Sequence, residues 1–277
     1  MHRAVRDRFI LSRRLAPLGL MEEFSSRQSS TRTGLRLRPA PAVLSCVEAE
    51  LTILLSLETG RYHLLNRIGG RIWSRLSRSG YVYPDDLDDA PNCEIPAPED
   101  IDALIFDLQK RGLVKQEDVN RMRVPTGSLT SSSDRTSAAT EPAVSGPAPS
   151  LLLCLTVLAA THILLRLFGL RRVLRRLYAL PKDARFRAAR RHWLTETAWR
   201  ISLASTFYPW RAECLEKSLA LLWFSRRAGV DAKLRIGILS HPFAAHAWVD
   251  YQDRPINDNR EHLRQYSWFP VIEPELL

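Results

Sequence analysis

Trp210-Arg211-Ala212-Glu213-Cys214-Leu215-Glu216-Lys217-Ser218-Leu219-Ala220-Leu221-Leu222-Trp223-Phe224-Ser225-Arg226-Arg227-Ala228-Gly229 is the stretch from which the rest of the chain can be read. It reads as one helix with Cys214 near its start, Pro209 just upstream and Gly229 supplying a left-handed stop. Residues 232–239 follow as a strand alternating basic or small with apolar residues. Residues 245–251 form a second strand, and residues 254–258 a third after a tight loop at Gln252-Asp253. A helix-start cysteine, then a strand histidine (His246), then an aspartate on the next strand (Asp258) is an order that carries chemistry.

A thiol must be deprotonated to attack a carbonyl. A helix N-terminus lowers its pKa from about 8.5, and a neighbouring imidazolium lowers it further. His246 can take the thiol proton and return it to a leaving amine. A carboxylate on the other ring nitrogen fixes tautomer and orientation. Asp258 falls opposite His246 if the hairpin loop has three residues, and opposite Ala247 if it has two. Asp250 shares a face with His246 but lies roughly 13 Å along the strand, too far to orient it. Cys154, in an apolar run, reads as an inert buried thiol; His241 is a loop residue and His192 lies on a basic helical region.

Around this stretch, the 277 residues carry 40 Lys+Arg against 30 Asp+Glu, a formal +10 that points at first toward nucleic acid. Divided along the chain, the charge changes meaning. Residues 1–42 hold nine basic and three acidic groups, and 43–120 hold eight basic and fourteen acidic. Residues 163–212 hold twelve basic and two acidic. The basicity is a tail and one helical stretch on either side of an acidic module. Four cysteines with no C-x-x-C pair exclude a disulfide scaffold and a zinc ribbon, and no metal site is expected. The Arg- and Ser-rich residues 1–37 read as a disordered extension, and 121–150, mostly Ser, Thr, Ala and Pro, as a flexible linker. Two domains result, at 38–120 and 151–277. The apolar run 151–165 falls short of the roughly 20 residues of a membrane span and reads as core helix, with peripheral contact to an anionic membrane as the lesser reading. Leu170, Val173, Leu174 and Leu177 continue at helical spacing with arginines opposite.

The first domain reads as strands at 43–47, 51–57 and from Arg61, a helix capped by Asn66, and a helix opened by Pro98 and stopped at Gly112. This layout is winged-helix-like, yet its negative charge opposes DNA. Gly60-Arg61-Tyr62-His63-Leu64-Leu65-Asn66 before a Trp-bearing helix, with Asp107-Leu108-Gln109-Lys110-Arg111-Gly112-Leu113-Val114 at the end, resembles the PqqD-like precursor-peptide recognition domain. The resemblance implies a leader peptide added as a strand on the third strand against the last helix. Tyr62, His63 and Leu64 with Ile101, Ile105 and Leu108 would then line the groove.

Arg211-Ala212-Glu213-Cys214-Leu215, Leu234-Arg235-Ile236-Gly237-Ile238, Ala245-His246-Ala247-Trp248-Val249 and Arg254-Pro255-Ile256-Asn257-Asp258 resemble the lasso-peptide biosynthesis B protein. That resemblance implies an α+β chain in which a PqqD-type domain precedes a transglutaminase-like, papain-related peptidase domain. It places Cys214 as nucleophile, His246 as base and Asp258 as orienting acid, acting to remove the leader of a ribosomal precursor in the bacterial cytoplasm. It also implies an asparagine-synthetase-like macrolactam cyclase as partner. Some members of the family require ATP, but no nucleotide motif stands in this sequence, and no cofactor is expected. The rivals are an amide-forming acyltransferase on the same triad, a non-catalytic scaffold presenting the precursor, and a DNA-binding regulator.

Overall fold

The computed structural model describes residues 35–80, 97–118, 147–181, 191–210 and 212–277. Residues 1–34 of the expected extension and 121–146 of the expected linker lie outside them. The chain is α+β, as expected. Strand β1 (Leu35–Pro39) opens it, followed by β2 (Val43–Glu48), β3 (Leu51–Ser56) and β4 (Arg61–Leu65), which form an antiparallel sheet in the order β2-β3-β4. Helix α1 (Arg67–Ser79) starts where Asn66 accepts the Gly69 N–H at 2.9 Å, and α2 (Pro98–Lys110) precedes β5 (Val114–Asp118). Strand β5 pairs with β1, so Leu35–Leu37, inside the stretch expected to be an extension, belong to a paired strand. Local composition there is polar; a partner some eighty residues away supplies the pairing.

The sheet has two apolar faces. On one, Leu54 and Leu65 pack with Ile72, Trp73 and Leu76 of α1, Ile101, Ile105 and Leu108 of α2, and Leu113. On the other, Leu44, Cys46, Ile53, Leu55 and Leu57 join a cluster made mostly by the C-terminal half of the chain. The two expected domains therefore share a core.

That half consists of α3 (Leu151–Tyr178), α4 (Arg191–Thr206), α5 (Cys214–Arg227), β6 (Lys233–Leu239), β7 (Ala244–Tyr251), β8 (Arg254–Pro255), α6 (Arg260–Leu263) and β9 (Ser267–Trp268). Its antiparallel sheet runs β8-β7-β6-β9. The end of the expected linker is anchored: the Pro147 carbonyl accepts from Trp193 Nε1 and the Pro149 carbonyl from Arg200. Helix α3 is longer than the apolar run suggested, and by length and composition it is apolar enough to cross a membrane. Its stripe Cys154, Val157, Leu158 and Thr161 is buried, whereas Leu152, Ile163 and Leu167 are exposed, so the core-helix reading holds for one face only.

Gly169 (φ 74, ψ 169) breaks α3 into two helical segments. The second segment begins against the recognition sheet. There the Arg171 N–H donates to the Leu57 carbonyl at 3.1 Å, and the Arg171 guanidinium donates to Glu58 at 2.6 Å and to the Leu277 carbonyl at 3.0 Å. Only glycine occupies that backbone region without strain. Gly169→Ala is expected to cost about 1–3 kcal/mol, read as a lowered midpoint of thermal unfolding. An unchanged midpoint would show that the kink relaxes freely.

Candidate active site

Cys214 is the first residue of α5, so the helix begins four residues later than Trp210 and the thiol sits at its N-terminal turn. Glu213 and Glu216 form a reciprocal capping box around it, with the Glu213 N–H donating to Glu216 Oε2 at 3.1 Å. One turn on, the Ser218 hydroxyl donates to the Ala247 carbonyl at 2.9 Å, laying this face of α5 on β7 beside His246. The Ala247 backbone also hydrogen-bonds the Cys214 thiol. Helix α5, which starts at Cys214, thus lies against the strand that carries His246.

Asp258 reaches His246 by a route the strand register does not provide. The hairpin between β7 and β8 has two residues, Gln252 and Asp253, both at positive φ, and Tyr251 pairs with Arg254. Continued regularly, the ladder would set Asp258 opposite Ala247. Its last backbone bond runs from the Ile256 N–H to the Val249 carbonyl at 2.9 Å, and there the Asn257 side chain takes over. Its Oδ1 accepts the Val249 N–H at 2.8 Å while its Nδ2 donates to Ser218 at 3.0 Å. The chain turns there, and Asp258 Oδ2 accepts from His246 Nε2. Nδ1 of His246 is left as the ring nitrogen for the thiol proton. Asp250 is committed elsewhere, to Arg235 at 3.1 Å and Trp248 Nε1 at 2.9 Å.

A second histidine, missed in the sequence, shares the carboxylate. His262 Nδ1 lies 3.0 Å from Asp258 Oδ1, the oxygen that also accepts the Asn259 N–H at 2.6 Å. The signal was the i, i+4 spacing on the short helix that Asn259 caps. Burial alone would raise the Asp258 carboxyl, but the Asn259 N–H and the two imidazoles hold it below its usual value. His246, Asp258 and His262 place their ligand atoms within 4.8 Å of one another, close enough for a metal ion. Each carboxylate oxygen already has a histidine partner, so hydrogen bonding alone accounts for the cluster. Tyr266 lies tilted over the His246 ring at 5.4 Å.

The thiol does not follow the expectation of a lowered pKa. Burial raises Cys214 first, the Glu213 and Glu216 carboxylates raise it further, and the Ala247 and Leu215 backbones only partly offset them. Burial lowers His246 against the pull of Asp258. Both shifts favour the neutral forms, thiol and imidazole. His162 of α3, stacked on Trp210 at 6.2 Å, lies 3.6 Å from Glu216. The other described thiols are inert: burial pushes Cys46 up to about 12 and Cys154 up to about 11. His241 is exposed beside Ser240, and His192 is exposed on α4.

The six expected groove residues do not share one groove. Ile101, Ile105 and Leu108 are core beneath α2, because helical periodicity marks the buried stripe and not the exposed one. His63 lies near Arg111, just past the end of α2, and Asp107 of α2, Leu64 is 53 % exposed, and Tyr62 points through the opposite face of the sheet toward the C-terminal half. Phe106, 67 % exposed on α2, was not singled out. The outer edge of β4 is unpaired among the described residues.

Residues 155–269 match the family model of the transglutaminase-like superfamily. Residues 52–114 match that of coenzyme PQQ synthesis protein D (PqqD). Searches of curated proteins and of solved structures give no match. The two matched stretches, one similar to PqqD and one to the transglutaminase-like superfamily, stand in the order that the sequence resemblance implies.

The carboxylates around the thiol have a measurable consequence. Alkylation of Cys214 by iodoacetamide is expected to titrate above the ordinary thiol range, and Glu216→Gln, which keeps the acceptor and removes the charge, is expected to move that inflection down. An inflection that stays put in the variant would remove Glu216 as a cause.

Proposed function

We propose that this protein is a leader peptidase of lasso-peptide biosynthesis. It binds the leader of a ribosomally made precursor on its PqqD-type domain and cleaves it through Cys214, His246 and Asp258. The observation that carries this reading is the bond between the strand histidine His246 and Asp258, on the strand against which Ser218 lays helix α5. In the reaction His246 Nδ1 takes the thiol proton as Sγ attacks the carbonyl carbon. Backbone N–H groups of the first turn of α5 receive the developing oxyanion. The proton passes to the leaving amine, which departs as the new N-terminus of the core peptide. Water, deprotonated by His246, then releases the leader from its thioester. Asp258 holds the imidazole throughout and balances its transient positive charge.

The freed amine is the nucleophile that a macrolactam cyclase resembling asparagine synthetase would use next. No step requires a nucleotide. The apolar stripe of Leu152, Ile163 and Leu167 on α3 is the surface through which peripheral membrane contact would be made. An acyltransferase would share every step but the last, sending the acyl group to an amine in place of water.

Incubating the protein with the precursor peptide encoded beside its gene and weighing the products tests the reading. Two fragments whose summed mass exceeds the precursor by one water are expected, and Cys214→Ala is expected to leave the precursor whole. Full cleavage by Cys214→Ala would overturn the proposal, and a product joined to an amine would favour acyl transfer. Asp258→Asn is expected to lower kcat by about 10²–10⁴-fold with leader affinity unchanged, read by single-turnover kinetics beside a binding titration.

A further inference from the structure

Asp258 stands where the fold gives its side chain no regular support. The ladder has ended before it, and the chain from Ile256 to Tyr266 holds only the four-residue helix α6. That short helix is anchored on two sides. Leu263 is buried, its N–H donates to the Asn259 carbonyl at 3.1 Å, and its own carbonyl accepts from Trp268 Nε1 at 3.2 Å. Toward the β7–β8 turn, the Arg260 guanidinium donates to the Asp253 carbonyl at 3.1 Å. The Asn259 side chain caps the helix by accepting the Glu261 N–H at 3.1 Å. From this fixed base His262 reaches back to the carboxylate.

Three donors meet that carboxylate and divide its oxygens unequally. Oδ2 accepts from His246 Nε2, while Oδ1 accepts the Asn259 N–H at 2.6 Å and faces His262 Nδ1 at 3.0 Å. Burial would raise the carboxyl, but these donors hold it below its usual value, so it is ionised and can only accept. The hydrogen in the third bond therefore belongs to His262, on Nδ1. The Asn259 N–H comes from the next residue and is a single pivot about which the carboxyl could turn. His262 supplies the second point of attachment on the same oxygen, from four residues along, and stops the turning. The rings pack accordingly: His246, His262 and Tyr266 stand 5.4 Å apart pairwise, with His262 edge-on to the other two.

We infer that His262 is a positioning residue whose Nδ1–H clamps Oδ1 of Asp258 and so keeps Oδ2 on the His246 ring. This rests on the peptidase reading above and deepens it, because it adds a side chain behind Cys214, His246 and Asp258 that makes and breaks no bond to substrate. When His246 takes up a proton, the carboxylate must hold its place to balance the new charge. A carboxyl free to rotate would exchange that bond for water.

The test separates clamping from packing by the choice of side chain. Asparagine sets an amide N–H close to where Nδ1 of histidine stands, and leucine fills space without a donor. With the precursor peptide in single-turnover kinetics, His262→Leu and His262→Ala are expected to lower the rate by about 10–10²-fold, the scale on which a misplaced group slows an oriented reaction. Leader affinity is expected to hold constant, and His262→Asn is expected to recover most of the loss. Equal losses in all three variants would mean that the ring only packs, and would overturn the inference; so would full activity of His262→Ala. In an Asp258→Asn background, His262→Ala is expected to cost little more, because the clamp acts only through the carboxylate. A loss that repeats there in full would place its action elsewhere.

A second measurement needs no change at His262. Nitrogen NMR of Cys214→Ala protein grown with isotope-labelled histidine is expected to find a hydrogen on Nδ1 of His262 and on Nε2 of His246 at neutral pH. The His262 signals are assigned by their loss when His262→Asn is added. A bare Nδ1 on His262 would overturn the inference without any activity assay. Absence of cleavage by the wild-type protein would instead sink the peptidase reading and leave the position of that hydrogen untouched, so the two failures are distinguishable.

Discussion

A three-stranded sheet that is apolar on both faces cannot stand in water with helices on one side alone, and the architecture of this protein depends on that constraint. Strand β3 reads Leu51-Thr52-Ile53-Leu54-Leu55-Ser56, so its side chains present apolar groups in both directions. Leu54 points to α1 and α2, and Ile53 and Leu55 point to the catalytic half. Burying each such side chain is worth about 1.5–3 kcal/mol, and the second face supplies several of them. The first domain is therefore held to the C-terminal half through its own sheet. Arg171 and Glu48, whose carboxylate accepts the Ser240 N–H at 2.9 Å, set the orientation once the apolar faces meet.

This constraint explains which parts of the structure were legible in the sequence. The continuous apolar run at 51–57 is the pattern of a strand covered on both sides, but an apolar run does not name what covers it. Reading two domains on a tether placed the elements well and left their packing open. Strands β1 and β5 escaped notice because neither Leu35–Pro39 nor Val114–Asp118 is strongly apolar; each is a strand because of the other. The groove residues illustrate a related limit. Periodicity finds the stripe a helix buries, so Ile101, Ile105 and Leu108 were read as a binding surface and are core.

The candidate site was more legible, because its chemistry needs rare residue types in a fixed order. Spacing singled out Cys214, His246 and Asp258, and the structure pairs Asp258 with His246 although the turn has two residues. Register arithmetic cannot anticipate that Asn257 replaces a backbone partner with its side chain and releases the chain from the ladder. His262 was hidden for a simpler reason: a lone histidine acquires meaning only once the carboxylate four residues earlier has a place. The thiol expectation failed on electrostatics. A helix N-terminus favours a thiolate, but burial opposes it first, and the two glutamates of the capping box that starts this helix add to burial.

Those glutamates bear on how such a protein endures between substrates. Peroxide and molecular disulfides consume thiolates, not thiols, and attack slows as the thiolate fraction falls. A Cys214 thiol kept protonated by burial first, and then by the carboxylates of its own helix cap, is therefore guarded against oxidative loss.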